Sequence, residues 1–151
     1  MQIREIQPIH FLYFKTEAKL SKLSDFVGKV PKALQLEAAK LGLLVTGPNY
    51  WSYFNFYGNP NEFFTLEISL PVDALPVNYT GEFLLKTTTL FKCLSTHHEG
   101  NWLDMPTTYN KLMTYISHHQ LTPNGENREL YINCDFENPA ANFTEIQIGL
   151  Q

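Results

Sequence analysis

Glu129 is the residue of this sequence whose surroundings could most readily do chemistry. It alternates with Tyr131 and Asn133 in a stretch of strand character, Arg128 to Asp135, so these three side chains share one face. An earlier stretch, Trp51 to Tyr57, presents Trp51, Tyr53, Asn55 and Tyr57 together in the same way. A carboxylate among aromatic rings is costly to keep charged and unpaired. It must be solvated, hold its proton with a raised pKa, or meet a cation. Aromatic faces attract cations by their quadrupole, worth roughly 0.5–2 kcal/mol each. Such a lining suits an amphipathic ligand. The plainer reading of Glu129 is a solvated strand residue paired with Arg128 or a neighbouring lysine.

The elements that must carry these residues follow from the pattern. Ile9 to Lys15 reads as a strand, and Ser24-Asp25 offers an N-cap for a helix from Phe26 to Leu43 with Pro31 in an early turn. Trp51 to Tyr57 and Phe63 to Val72 are strands around a Gly58-Asn59-Pro60 turn. The same order then returns: strand Glu82 to Leu94, helix Trp102 to Leu121, strand Arg128 to Asp135, and strand Thr144 to Leu150. Shifting the chain by 78 residues superimposes Leu12 on Leu90, Leu34 on Leu112, Gly47 on Gly125, Tyr53 on Tyr131, and Glu67-Ile68 on Glu145-Ile146. The repeats span about 1–73 and 79–151 of a single domain.

The fold class expected is α+β: duplicated strand-helix-strand-strand units forming one curved antiparallel sheet, helices on one face and a ligand cleft on the other. Alternation predicts that Leu130, Ile146, Ile148, Ile68 and Leu70 pack under the helices. Trp51, Tyr53, Glu129, Tyr131, Asn133 and Glu145 are then expected to line the cleft, with Trp102 entering from the loop before the second helix.

Composition narrows the functions. The 151 residues are 44% hydrophobic, enough for a core, and the aromatic share is raised by 11 Phe, 8 Tyr and 2 Trp. The net charge of −4 argues against a broad nucleic-acid surface. No signal-like start or bilayer-length apolar run is present, so a cytoplasmic protein without membrane attachment is expected. Cys93 and Cys134 make no disulfide framework or metal motif. His10, His97-His98 and His118-His119 are candidates for haem or metal, but adjacent histidines on a strand or helix diverge. No cofactor and no metal is expected, and no serine–histidine–aspartate arrangement stands out.

The residues Gly100-Asn101-Trp102, then Tyr109, Leu112 and Tyr115, Pro123, Glu129-Leu130-Tyr131 and the closing Thr144-Glu145-Ile146-Gln147-Ile148, in that order, resemble the GyrI-like small-molecule-binding family. These are effector-binding domains attached to some multidrug-sensing transcription regulators. The resemblance covers essentially the whole chain. It implies Glu129 as the buried carboxylate at the pocket centre, with Trp102 and Tyr131 as wall aromatics. Asn101 stands where the family usually has Pro, and Gly149 where a Pro is common, differences of backbone shape more than chemistry. No helix-turn-helix segment precedes Ile9, so direct DNA binding is not expected. The resemblance implies a binding module for an amphipathic, cationic or aromatic small molecule. Its alternatives are a hydrolase of reactive electrophiles, with Glu129 as acid/base and Tyr131 orienting substrate or water, and a gyrase-inhibitor-like protein interaction.

Overall fold

The computed structural model describes residues 1–151. Its strands are β1 (Gln2–Ile6), β2 (His10–Ala18), β3 (Tyr50–Phe54), β4 (Phe64–Val72), β5 (Leu84–Thr87), β6 (Phe91–Glu99), β7 (Pro123–Asn133) and β8 (Phe143–Leu150). The helices are α1 (Ser24–Val27), α2 (Val30–Lys40) and α3 (Met105–His118). The class is the expected α+β, with eight antiparallel strands in the order β1-β6-β8-β7-β3-β4-β2-β5.

That order is symmetric about its centre, where β3 pairs with β7. Trp51 lies directly opposite Glu129 there, and these two are also partners at the 78-residue offset. The pseudo-twofold axis of the duplication therefore passes between them. Leu34 of α2 and Leu112 of α3, related by the same offset, are both fully buried against the sheet. The offset fails for the first strands. Leu12 pairs with Leu70 and Leu94 with Ile148, so Leu12 corresponds to Leu94 and not to Leu90. The 3-10 turn Leu20–Lys22 has its counterpart in the 3-10 turn Trp102–Asp104, and the first half spends its extra residues after it, on α1 and the Gly28-Lys29 step that separates α1 from α2. The continuous helix expected from Phe26 is accordingly broken, and Pro31 falls in the first turn of α2, where its missing N–H costs nothing.

β1 was not expected, and the strand expected over Glu82 to Leu94 is divided into β5 and β6. β1 crosses to the second half and pairs with β6, while β5 pairs with β2. The register is continuous from Gln2↔Ser95 through Ile6↔Phe91 to His10↔Thr87 and Tyr13↔Leu84. Between them, Thr88 N–H donates to the Ile9 carbonyl at 2.9 Å, and Ile9 N–H to Thr88 Oγ1 at 2.8 Å. β1–β2 and β5–β6 are thus two long paired chain paths, and through them the sheet rolls up into a barrel, β1 and β5 each keeping one unpaired side. Its outer wall carries α2 and α3. Its lumen takes Arg4, Glu67, Lys86, Arg128, Glu145 and Gln147, whose charges are paired: Arg4 with Glu145 at 2.8 Å, Lys86 with Glu67, and Arg128 Nε with Glu126 at 2.9 Å. The Arg128 guanidinium also lies over the Phe91 ring, 3.6 Å from its centroid.

Candidate functional site

Directly paired residues of antiparallel strands project to the same side. Glu129 pairs with Trp51 on one side and Ile146 on the other, and Trp51 pairs with Ile68. Glu129, Trp51, Tyr53 and Tyr131 therefore share the helix-bearing outer wall with the aliphatic residues. They sit between the two helices on the pseudo-twofold axis. This corrects the expected division of faces.

Glu129 is 6% exposed and accepts three phenol hydrogen bonds. Tyr109 of α3 donates to Oε1 at 2.5 Å, Tyr53 of β3 donates to Oε2 at 3.0 Å, and Tyr131 donates to Oε2. Tyr53 and Tyr131 are dyad-related, so the fold itself brings two phenols to one point. Burial pushes the Glu129 carboxyl above its usual range; the hydrogen bonds from Tyr109, Tyr131 and Tyr53, and the positive charge that His98 can carry, pull in the other direction. Tyr53, Tyr109 and Tyr131 are held well above 10.0, first by burial and then by the nearby negative charge, so they remain donors.

The walls are aromatic. Tyr131 stands edge-on to Trp51 at 6.0 Å and to Trp102 at 5.6 Å between ring centroids. Trp102 Nε1 donates to Thr144 Oγ1 at 3.1 Å. The turn that presents Trp102 is tied down twice: Asn101 Oδ1 accepts from Leu103 N–H at 3.0 Å, and the Asn101 carbonyl accepts from His98 Nε2 at 2.8 Å. His98 Nδ1 lies 2.8 Å from Thr108 Oγ1 on α3.

Of the seven residues expected at the site, the structure gathers Glu129, Tyr131, Tyr53, Trp51 and Trp102. Glu145 is elsewhere, in the barrel lumen, paired with Arg4, 3.4 Å from His97 Nε2 and accepting from Gln147 Nε2. Its register partner Leu130 faces away from Glu129. Asn133 is exposed beyond a bulge in β7, and its amide donates to the Ala141 carbonyl at 2.7 Å. Tyr109 takes a place at the carboxylate that its helical spacing did not announce, because the apolar stripe of α3 reads it as core. The resemblance to the family, which includes Tyr109, held the signal. No group of three or more His, Cys, Asp or Glu side chains comes together in a way that could hold a metal.

A family model for the GyrI-like small molecule binding domain matches residues 1–151. No curated protein matches by sequence. Among solved structures, the EcmrR C-terminal domain superimposes with a TM-score of 0.81 at 19% identity, over 99% of this chain and 96% of that one. EcmrR in a DNA complex gives 0.82 at 18% identity, over 99% of this chain but 56% of that one, so the chain spans about half of that EcmrR chain. SAV2435 bound to tetraphenylphosphonium gives 0.68 at 14% identity, over 99% and 93%. A hydrolase from Listeria innocua gives 0.69 at 12% identity, over 99% and 92%. At these identities the likeness is one of fold. No helix is long and apolar enough to cross a membrane.

Proposed function

The chain belongs to the GyrI-like small-molecule-binding family, and from that premise we propose that it binds an amphipathic aromatic cation against the Glu129 carboxylate. The observation that carries this reading is one acidic group, buried on the dyad axis, among three phenols and two indoles. Burial makes the free carboxylate expensive, and a cation that loses its own water there recovers that cost as a close ion pair. The rings of Trp51, Trp102 and Tyr131 add quadrupole attraction and apolar area. Tyr53 and Tyr109 hold the carboxylate in place. A relative of the same fold, SAV2435, is described as bound to tetraphenylphosphonium, a cation of this class.

The hydrolase reading draws on the same carboxyl. Held above its usual range beside three protonated phenols, it is suited to general acid or base work, and a Listeria innocua protein of this fold is described as a hydrolase. Calorimetry separates the two readings. Wild type and Glu129→Gln are titrated with tetraphenylphosphonium and with uncharged triphenylphosphine oxide. Saturable binding of the cation, lost in the Gln variant and absent for the neutral compound, is the expected result. Binding that is indifferent to ligand charge and to the variant refutes Glu129 as the counter-charge. Consumption of reactive electrophiles by wild type but not by the variant would favour hydrolysis.

A further inference from the structure

The aromatic wall does not end at the carboxylate. From Trp51 the rings continue edge-on through Tyr131 and Trp102 to Phe136, with centroid steps of 6.0, 5.6 and 5.5 Å. Along this line exposure rises from 5% at Trp51, through half-buried Tyr131 and Trp102, to 69% at Phe136. Phe136 is on the connection between β7 and β8, and that connection is built. Asp135 N–H donates to Asn142 Oδ1 at 2.6 Å, and Asp135 Oδ1 accepts from Glu137 N–H at 2.9 Å and Asn138 N–H at 2.8 Å. Phe136 is thereby held at the surface with its ring against Trp102. The outer end is also acidic. Asp135 and Glu137 flank Phe136, and 131–145 contains no Lys or Arg.

We infer that the site has an outer subsite, formed by Trp102 and Phe136, which takes the apolar body of an elongated cation whose charged end lies at Glu129. The inference rests on the binding reading above and specifies its ligand class: long monocations with an aromatic head and an alkyl or aryl extension, in preference to compact ones. A single exposed phenylalanine is ordinary on a protein surface. One that continues a line of rings leading to a buried carboxylate, on a hydrogen-bonded loop with a negative rim, has a geometry that fits such an occupant. The rim draws the cation in, and the rings cover its body.

The test uses a homologous series of benzyldimethylalkylammonium ions, from methyl to dodecyl, each below its micelle concentration, titrated into wild type and Phe136→Ser. Burial of one methylene is worth about a fourfold gain in affinity. Wild-type affinity should therefore climb with chain length until the chain passes Phe136. In Phe136→Ser the shortest member should change by no more than about twofold, and the longest should lose about tenfold. Parallel curves for the two proteins, or equal losses for short and long members, overturn the outer subsite. Those outcomes leave the charge reading standing if the shortest member still binds and fails to bind Glu129→Gln. If no member binds wild type, both readings fall.

Discussion

Removing one hydroxyl from the Glu129 network gives a sharp prediction. In Tyr53→Phe the ring stays, packed 5.5 Å from Phe64, but the donor to Oε2 at 3.0 Å is lost. A hydrogen bond to a charged group contributes roughly 1.5–3 kcal/mol. Oε2 keeps its bond from Tyr131, so the lower end of that range applies. The loss falls on the ionised carboxyl and moves the Glu129 pKa further up. A cation needs the ionised form. Below the Glu129 titration, wild-type affinity for tetraphenylphosphonium should therefore fall tenfold per pH unit, and the variant should lie about tenfold lower still at each such pH. Well above the titration the two proteins should bind alike, since both are ionised there. Calorimetric titrations across pH, with thermal melts to verify folding, give both curves. A loss that is the same at every pH would mean that the Tyr53 hydroxyl shapes the site and does not tune its charge. No loss at any pH would refute the network as drawn.

Three further outcomes follow from the same contacts. Because burial raises the Glu129 pKa, the native state binds more protons than the unfolded chain just above the ordinary carboxylate range, so this group's penalty grows as pH rises through that window and disappears on acidification. Glu129→Gln should accordingly gain stability over wild type toward neutral pH in urea titrations; a difference that ignores pH, or grows in acid, contradicts this. Arg128→Met removes a lumen charge that is 3% exposed, bonded to Glu126 and stacked on Phe91, and should cost about 3 kcal/mol of unfolding free energy; a cost under about 1 kcal/mol would show that the lumen ion pair is dispensable. Thr144→Val strips the acceptor from Trp102 Nε1 and should cost about 1 kcal/mol, with weaker cation binding by calorimetry; unchanged stability and binding would mean that packing alone holds the indole.

Much of this arrangement was readable from the residues, and what was not has a definite cause. Alternation along one strand placed Glu129 with Tyr131 and Trp51 with Tyr53, and the 78-residue offset joined the two pairs. Alternation does not fix the register between strands. Grouping Glu129 with Glu145 assumed that polar residues of neighbouring strands share a face, but Glu129 is opposite Ile146 and Glu145 is opposite Leu130. The assumption failed because the sheet rolls up into a barrel. Both of its faces are buried, so polarity no longer marks the solvent side, and the lumen holds its charges as ion pairs. The barrel depends on β1, five residues exposed or half-buried along their length and far in sequence from their partner β6. Nothing local in Gln2–Ile6 reports that pairing. Asn133 was lost to a β7 bulge that shifts the register after Tyr131.

The duplication also explains why a single carboxylate stands at the centre. Residues next to the dyad axis meet their own counterparts, so Trp51 faces Glu129 and Tyr53 joins Tyr131 on one oxygen. A carboxylate at both positions would place two like charges side by side out of water, and one of them would have to stay protonated. A tryptophan at both would leave no counter-charge. Divergence to one Glu and one Trp gives the axis an acid and a wall, while the tyrosines retain the symmetry because both can donate to the same group. Tyr109 has no such counterpart: its position in the first half is Pro31, in the opening turn of α2. The third phenol comes from the second half alone. Its removal in Tyr109→Phe should therefore weaken cation binding, and restoring a hydroxyl from α2 would require rebuilding the helix start that Pro31 sets.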